Sequence, residues 1–90
     1  MELEWDPWKE ERNLRRHGVS FTEAATVLED RLSETVHDPA HSEDEDRYLT
    51  VGHSIQERLL IVAHMERGNR IRIISARELT RSERKAYEEG

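Results

Sequence analysis

The chain contains no cysteine, which excludes disulfides and thiolate metal centres. Long apolar runs are missing as well. The longest, LLIVA, is far too short to span a membrane. There is no glycine-rich loop to cradle a phosphate and no Gly-x-Ser-x-Gly elbow to present a nucleophile. The opening MELEWDPWKE is acidic and aromatic and lacks the apolar segment of a secretory signal, so the expected location is the cytosol and no membrane partner is expected. Hydrophobic residues are only 34% of the 90 residues. One domain over residues 1–90 is expected, with a small core, marginal stability alone and room for stabilisation by a partner.

What the chain has is charge, at 38% of residues and a formal net of −6. It is unevenly spread. Residues 29–46 carry eight acids against one base, whereas residues 66–85 carry seven bases against three acids. An acidic protein that gathers arginines at one end has either a solvated basic surface or a site for an anion.

The local pattern gives three helices and a sheet. In DPWKEERNLRRHG, Asp6 suits the N-cap, Pro7 the first helical position and Gly18 the residue after the helix. Arg16 and His17 in the last turn complement the helix dipole. The apolar stripe of this helix is poor, with Trp8 and Leu14 nearly alone. In SFTEAATVLED, Ser20 and Glu23 have capping-box spacing, and Phe21, Ala24, Ala25 and Leu28 form one apolar face expected to pack on a sheet. ETVHD is a short, weak strand. RYLTVGH alternates, RLLIVAH is apolar on both faces, and RIRIISA alternates again after the turn RGN. ELE near the N-terminus is a possible edge strand. Thr80 and Glu83 repeat the capping-box spacing at the head of a last helix. The fold class is therefore α+β, an antiparallel meander packed by two N-terminal helices and one C-terminal helix.

Strict alternation along RIRIISAR places Ile71, Ile73 and Ser75 on one face and Arg72, Ile74 and Ala76 on the other. Arg72 then sits among apolar neighbours, where a guanidinium must snorkel, pair or meet an anion. Arg77, Arg81 and Arg84 can lie along one side if the strand-to-helix turn is tight. Arg70 adds to the same basic segment. His64 ends the apolar strand and is a candidate acid or base, although a lone histidine is more often satisfied by its surroundings. Whether it shares a face with Arg72 depends on hairpin register, which a one-residue slip reverses. Tyr87 either anchors the last helix or offers its hydroxyl or ring to a nucleotide. Lys9, Arg12, Arg15 and Arg16 give the first helix a basic face that could extend a phosphate groove. His37, Asp38, His41 and Glu43 have metal-ligand chemistry but fall in an acidic stretch read as a solvated loop, so no metal and no cofactor are expected.

The segments EWDPWKEERNLRRHGVSFTEA, RYLTVGHS and HMERGNRIRIISARELTRSERKAYEEG resemble the BrnT toxin family across almost the whole chain. Arg16 stands where lysine is expected before His-Gly and keeps the charge. The resemblance implies a RelE-like fold and a ribonuclease toxin of a type II toxin–antitoxin system that cuts RNA and blocks translation. It also implies a ribbon-helix-helix (BrnA-like) antitoxin as partner, with operator DNA bound through that antitoxin. Metal-independent cleavage must activate a 2′-hydroxyl, stabilise the phosphorane and protonate the leaving oxygen. Arg67, Arg72 and Arg77 suit the second role and are expected to converge on one anion site with His64 at its edge. His64 or Glu66 suits the first. Lys9, Arg12, Arg16, Arg70, Arg81, Arg84 and Tyr87 are the candidate RNA-binding residues, and the acidic loop is expected to lie elsewhere. The alternative is a non-catalytic interaction module, the partner or corepressor of a DNA-binding protein.

Overall fold

The computed structural model describes residues 2–41 and 45–90. Strand β1 (Glu2–Glu4) leads into helix α1 (Pro7–His17) and helix α2 (Phe21–Val27). Strands β2 (Glu34–His37), β3 (Arg47–His53), β4 (Leu59–Arg67) and β5 (Arg70–Glu78) follow, with a 3₁₀ turn at Pro39–His41, and helix α3 (Arg81–Glu89) closes the chain. The sheet order is β1-β5-β4-β3-β2. Strands β2 to β5 form the expected antiparallel meander, but β1 pairs parallel to β5, so the sheet is mixed.

The helix ends follow local chemistry. The Asp6 side chain accepts the Trp8 amide, and Gly18 takes the left-handed conformation (φ 70°) that lets its N–H close on the Leu14 carbonyl. Thr80 and Glu83 form a complete capping box on α3. On α2 the box is only half made. Ser20 accepts the Glu23 amide, but the Glu23 carboxylate turns into the protein, where Arg58 Nε donates to it at 2.9 Å and Ser54 Oγ at 2.6 Å. The carboxylate of Glu10 takes over at the head of α2, accepting the Phe21 amide at 3.0 Å.

The core lies between the helices and one sheet face: Val19, Phe21, Ala24 and Val27 against Leu60, Val62, Ile73 and Ala76. Trp5 closes its edge, its ring set edge-on to Phe21. Helix α1 contributes little apolar surface. Trp8 and Leu14 are exposed, and the one buried residue of the helix is Asn13. Its amide Nδ2 donates to the carbonyls of Ala76 (2.8 Å) and Val19 (2.9 Å), and its Oδ1 accepts the Ala76 N–H. Strand β1 pairs only with Arg70, Ile71 and Arg72. Beyond that point Asn13 takes the place of an edge strand beside Ala76.

Strand β5 does not alternate strictly. Ala63 pairs with Ser75 and His64 with Ile73, leaving Ile74 as an extra residue in a β-bulge. The expected division of faces holds for Ile71, Arg72 and Ile73 and reverses afterwards. Ala76 joins Ile71 and Ile73 on the helix side, while Ser75 and Arg77 join Arg72 on the outer face.

Candidate functional site

With the register fixed, the candidate residues divide between the two faces of the sheet. His64 is cross-strand from Tyr48 and Ile73 on the helix side and is 1% exposed. Its Nε2 shares a 2.7 Å hydrogen bond with Thr50 Oγ1, which also lies 2.7 Å from Thr35 Oγ1, and its ring stacks on Tyr48. Burial holds the imidazole below its ordinary pKa, opposed by the Glu66 carboxylate 3.7 Å from Nδ1. The expected placement of His64 at the edge of an arginine site is thus corrected: Arg72 pairs with Met65 on the other face. Glu66 lies on the His64 side.

Arg67, Arg70, Arg72 and Arg77 share the outer face, but not one depression. The first three line a depression of about 760 Å³ at the β4–β5 hairpin together with Glu2, Glu4 and Glu45. Each is matched by acid. Arg72 meets Glu4 at 3.3 Å, Arg70 lies 3.8 Å from both Glu2 and Glu4, and Arg67 pairs with Glu45. The Glu45 contact also corrects the expectation that the acidic loop lies elsewhere, since its C-terminal end reaches an arginine of the candidate set. Asp44, in the same loop, lies outside the described residues.

Arg77 lines a second outer-face depression of about 350 Å³, together with apolar Leu49, Ile61 and Ala63 and polar His17, Asp38, Arg47 and Ser75. Its guanidinium is fixed by α3: Nη1 and Nη2 donate to the two Glu83 oxygens at 2.7 and 2.9 Å. This fork, with the Thr80 amide, holds the Glu83 carboxyl down at about 2. A smaller adjoining depression of about 70 Å³ lies along α1 and shares His17 and Ser75 with the second. Lys9, Arg12 and Arg16 line it. None of these three has a carboxylate partner among the described residues, and Arg12 lies over the Trp8 ring, 5.0 Å from its centre. The Lys9–Arg12–Arg16 depression is therefore lined by cations with no acid among them, whereas the Arg77 depression includes Asp38 and the hairpin depression holds three bases against three acids.

Arg81 and Arg84 are exposed on α3. Tyr87 anchors that helix, donating its hydroxyl to the Leu32 carbonyl at 3.3 Å. Burial and the nearby Glu34 and Asp30 carboxylates push its hydroxyl pKa up. That acidic setting suits an anchor better than a phosphate contact.

His17 is the site residue that sequence reasoning passed over, reading it only as a partner of the helix dipole. Only the docking of α1 along β5 brings it to Ser75 and Arg77. The basic face of α1 was the available signal.

Residues 5–83 match the family described as "Ribonuclease toxin, BrnT, of type II toxin-antitoxin system". Among solved structures, the ribonuclease toxin BrnT of Brucella abortus, determined at 1.1 Å resolution, is similar with a TM-score of 0.66. It is 20% identical, over 90% of this chain and 99% of that one, a likeness that speaks for the fold. No curated protein sequence matches the chain. With the family match spanning most of its length, the chain belongs to the BrnT ribonuclease toxins of type II toxin–antitoxin systems.

Proposed function

We propose that the chain is an endoribonuclease that acts in the cytosol, cuts RNA without a metal ion and thereby inhibits translation. The observation that carries this reading is the α1–β5 seam, where Lys9, Arg12 and Arg16 stand without carboxylate partners among the described residues, beside His17, Ser75 and the Arg77 fork that Glu83 fixes. A single RNA strand brings one negative charge per phosphate. Unpaired surface cations attract it at low cost, because no internal ion pair has to be broken. In cleavage the 2′-oxygen attacks phosphorus and the developing phosphorane gains charge. A guanidinium already held in place stabilises that charge more than it does the bound ground state. Arg77 is assigned that role. Arg67, Arg70 and Arg72 flank it on the same face, and their exposed ion pairs with Glu45, Glu2 and Glu4 are weak enough to exchange for phosphate contacts. Arg81 and Arg84 extend the surface on α3.

The proposed partner is a ribbon-helix-helix, BrnA-like antitoxin that neutralises the toxin and carries the pair to operator DNA. The small core supports this, since a partner that binds only the folded toxin raises its stability by mass action. The test is cleavage of RNA, naked and in a translating extract, by the purified chain with excess EDTA. Fragments that persist with EDTA support the reading, and loss of cutting on chelation would remove the metal-independent step. A chain that cuts nothing under either condition, yet binds its antitoxin, would be the corepressor half of a DNA-binding pair instead.

A further inference from the structure

We propose that His17 is the general acid of RNA cleavage, an assignment that rests on the ribonuclease reading above. His17 lines both the Arg77 depression and the Lys9–Arg12–Arg16 depression. A phosphate held between the two sets of cations would thus lie beside an imidazole, the side chain best suited to move a proton near neutral pH.

The position of this histidine is fixed from its backbone. Asn13, one helical turn earlier, clamps α1 to β5 at Ala76, next to Ser75. Gly18, the next residue, ends the helix with its N–H on Leu14, and its carbonyl accepts from Arg58 Nη2 at 2.9 Å. The last turn of α1 is therefore pinned on both sides of His17, while its ring stays exposed to a substrate. His64 has the reverse arrangement, buried on the far face and engaged by Thr50. The charged groups that face His17 are Lys9, Arg12 and Arg16 of α1, Asp38 and Arg47 of the β2–β3 region, and Arg77 of β5.

In the step assigned to it, the 2′-oxygen forms a bond to phosphorus and the 2′-hydroxyl proton passes to water. The bond from phosphorus to the 5′-oxygen breaks. Protonated His17 gives a ring proton to that oxygen and ends neutral, to be reprotonated from solvent. The products are a 2′,3′-cyclic phosphate and a 5′-hydroxyl.

The full chain and its His17→Gln variant are compared on two substrates. One is a random-sequence oligoribonucleotide. The other has a single linkage in which sulfur replaces the bridging 5′-oxygen, a leaving group that departs without a proton. On the all-oxygen substrate the variant is expected to cut about 10²- to 10⁴-fold more slowly, with RNA affinity and melting temperature unchanged. On the sulfur linkage it should approach the parental rate. Equal rates for variant and parent on the all-oxygen substrate would overturn the assignment, as would an equal slowing on both substrates. A parent that cuts no RNA, naked or in a translating extract, would bring down the ribonuclease reading and this assignment with it.

Discussion

Asn13 and Ala76 form a reciprocal pair, the side-chain amide of one giving and taking both backbone hydrogen bonds of the other, at 2.8 and 3.1 Å. This contact joins residues distant in sequence and does the work of a missing strand. Asn13→Ala would strand the buried N–H and C=O of Ala76 and the carbonyl of Val19. Unmade buried hydrogen bonds of this kind cost about 1–3 kcal/mol each before relaxation, so a total loss of about 2–4 kcal/mol is expected. For a chain of this size that is a fall in melting temperature of roughly 10–30 °C. Thermal denaturation followed by circular dichroism checks it, and a variant that melts like the parent would show that water replaces the amide freely. Asn13→Asp should be nearly as damaging, because a carboxylate cannot donate to the two carbonyls.

A second prediction concerns Glu23 and Arg58. The Glu23 side chain is buried, and its hydrogen bond from Arg58 outweighs burial and holds its pKa below the ordinary carboxylate value. Arg58→Ala would leave a buried carboxylate with Ser54 as its remaining side-chain donor. The expected loss is about 2–3 kcal/mol, below the usual range for a fully buried pair because Arg58 is itself partly exposed. The double variant Arg58→Ala, Glu23→Gln should recover part of it. A double variant less stable than Arg58→Ala alone would contradict the charge argument.

His64 predicts an acid-sensitive fold. Its folded pKa lies below the unfolded value of about 6.5. The unfolded chain then binds the proton more readily. The contribution of this residue is complete above about pH 6.5 and declines as pH falls toward the folded value. Melting temperatures at pH 7.5 and 5.5 should differ more for the parent than for His64→Gln. Equal differences would move the acid sensitivity to another group.

The cations are expected to separate into two classes. Lys9→Ala, Arg12→Ala and Arg16→Ala should each weaken RNA binding modestly and lower the slope of log affinity against log salt by about 0.7, the value for one phosphate of a single strand. Arg72→Ala should do less, since Glu4 already offsets its charge. Arg77→Ala, whose charge Glu83 likewise offsets, should change the slope little and instead reduce the cleavage rate on the order of 10²-fold, by analogy with the loss of an oxyanion donor. Binding titrations over a salt range, beside single-turnover cleavage, distinguish the two. If Arg72→Ala lowers the rate as much as Arg77→Ala, the division between the two depressions is wrong.

The caps at Asp6, Ser20 and Thr80 and the left-handed Gly18 were legible in the sequence because each is decided within a few residues. The α+β class was legible for a similar reason, since the apolar period changes from helical to alternating after α2. Three features were not. Glu23 has the spacing of a capping box, but Arg58 lies 35 residues away and draws its carboxylate inward. Asn13 looks like an ordinary polar helix residue until β1 is seen to stop short of Ala76. The face of His64 depends on pairing across the hairpin, which side-chain chemistry alone leaves open. Of the candidate site, the basic residues could be named, but the acid partners of Arg67, Arg70 and Arg72 came from β1 and from the loop before β3, remote in sequence.

The bulge at Ile74 has a consequence for how this segment can change in length. Deleting Ile74 would restore plain two-residue phase along β5, because Ser75 and Ile73 already face consecutive residues of β4, Ala63 and His64. Ser75 and Arg77 would then keep to the outer face and Ala76 to the helix side, so the bulge can be lost without turning a guanidinium into the core. Point substitutions at Ile74, which is only partly covered, leave those faces unchanged as well. Across diverging sequences the spacing from Arg72 to Arg77 should therefore tolerate the loss of this one residue, and the sharing of the outer face by Arg72, Ser75 and Arg77 is a stricter signature of this surface than the count of residues between them.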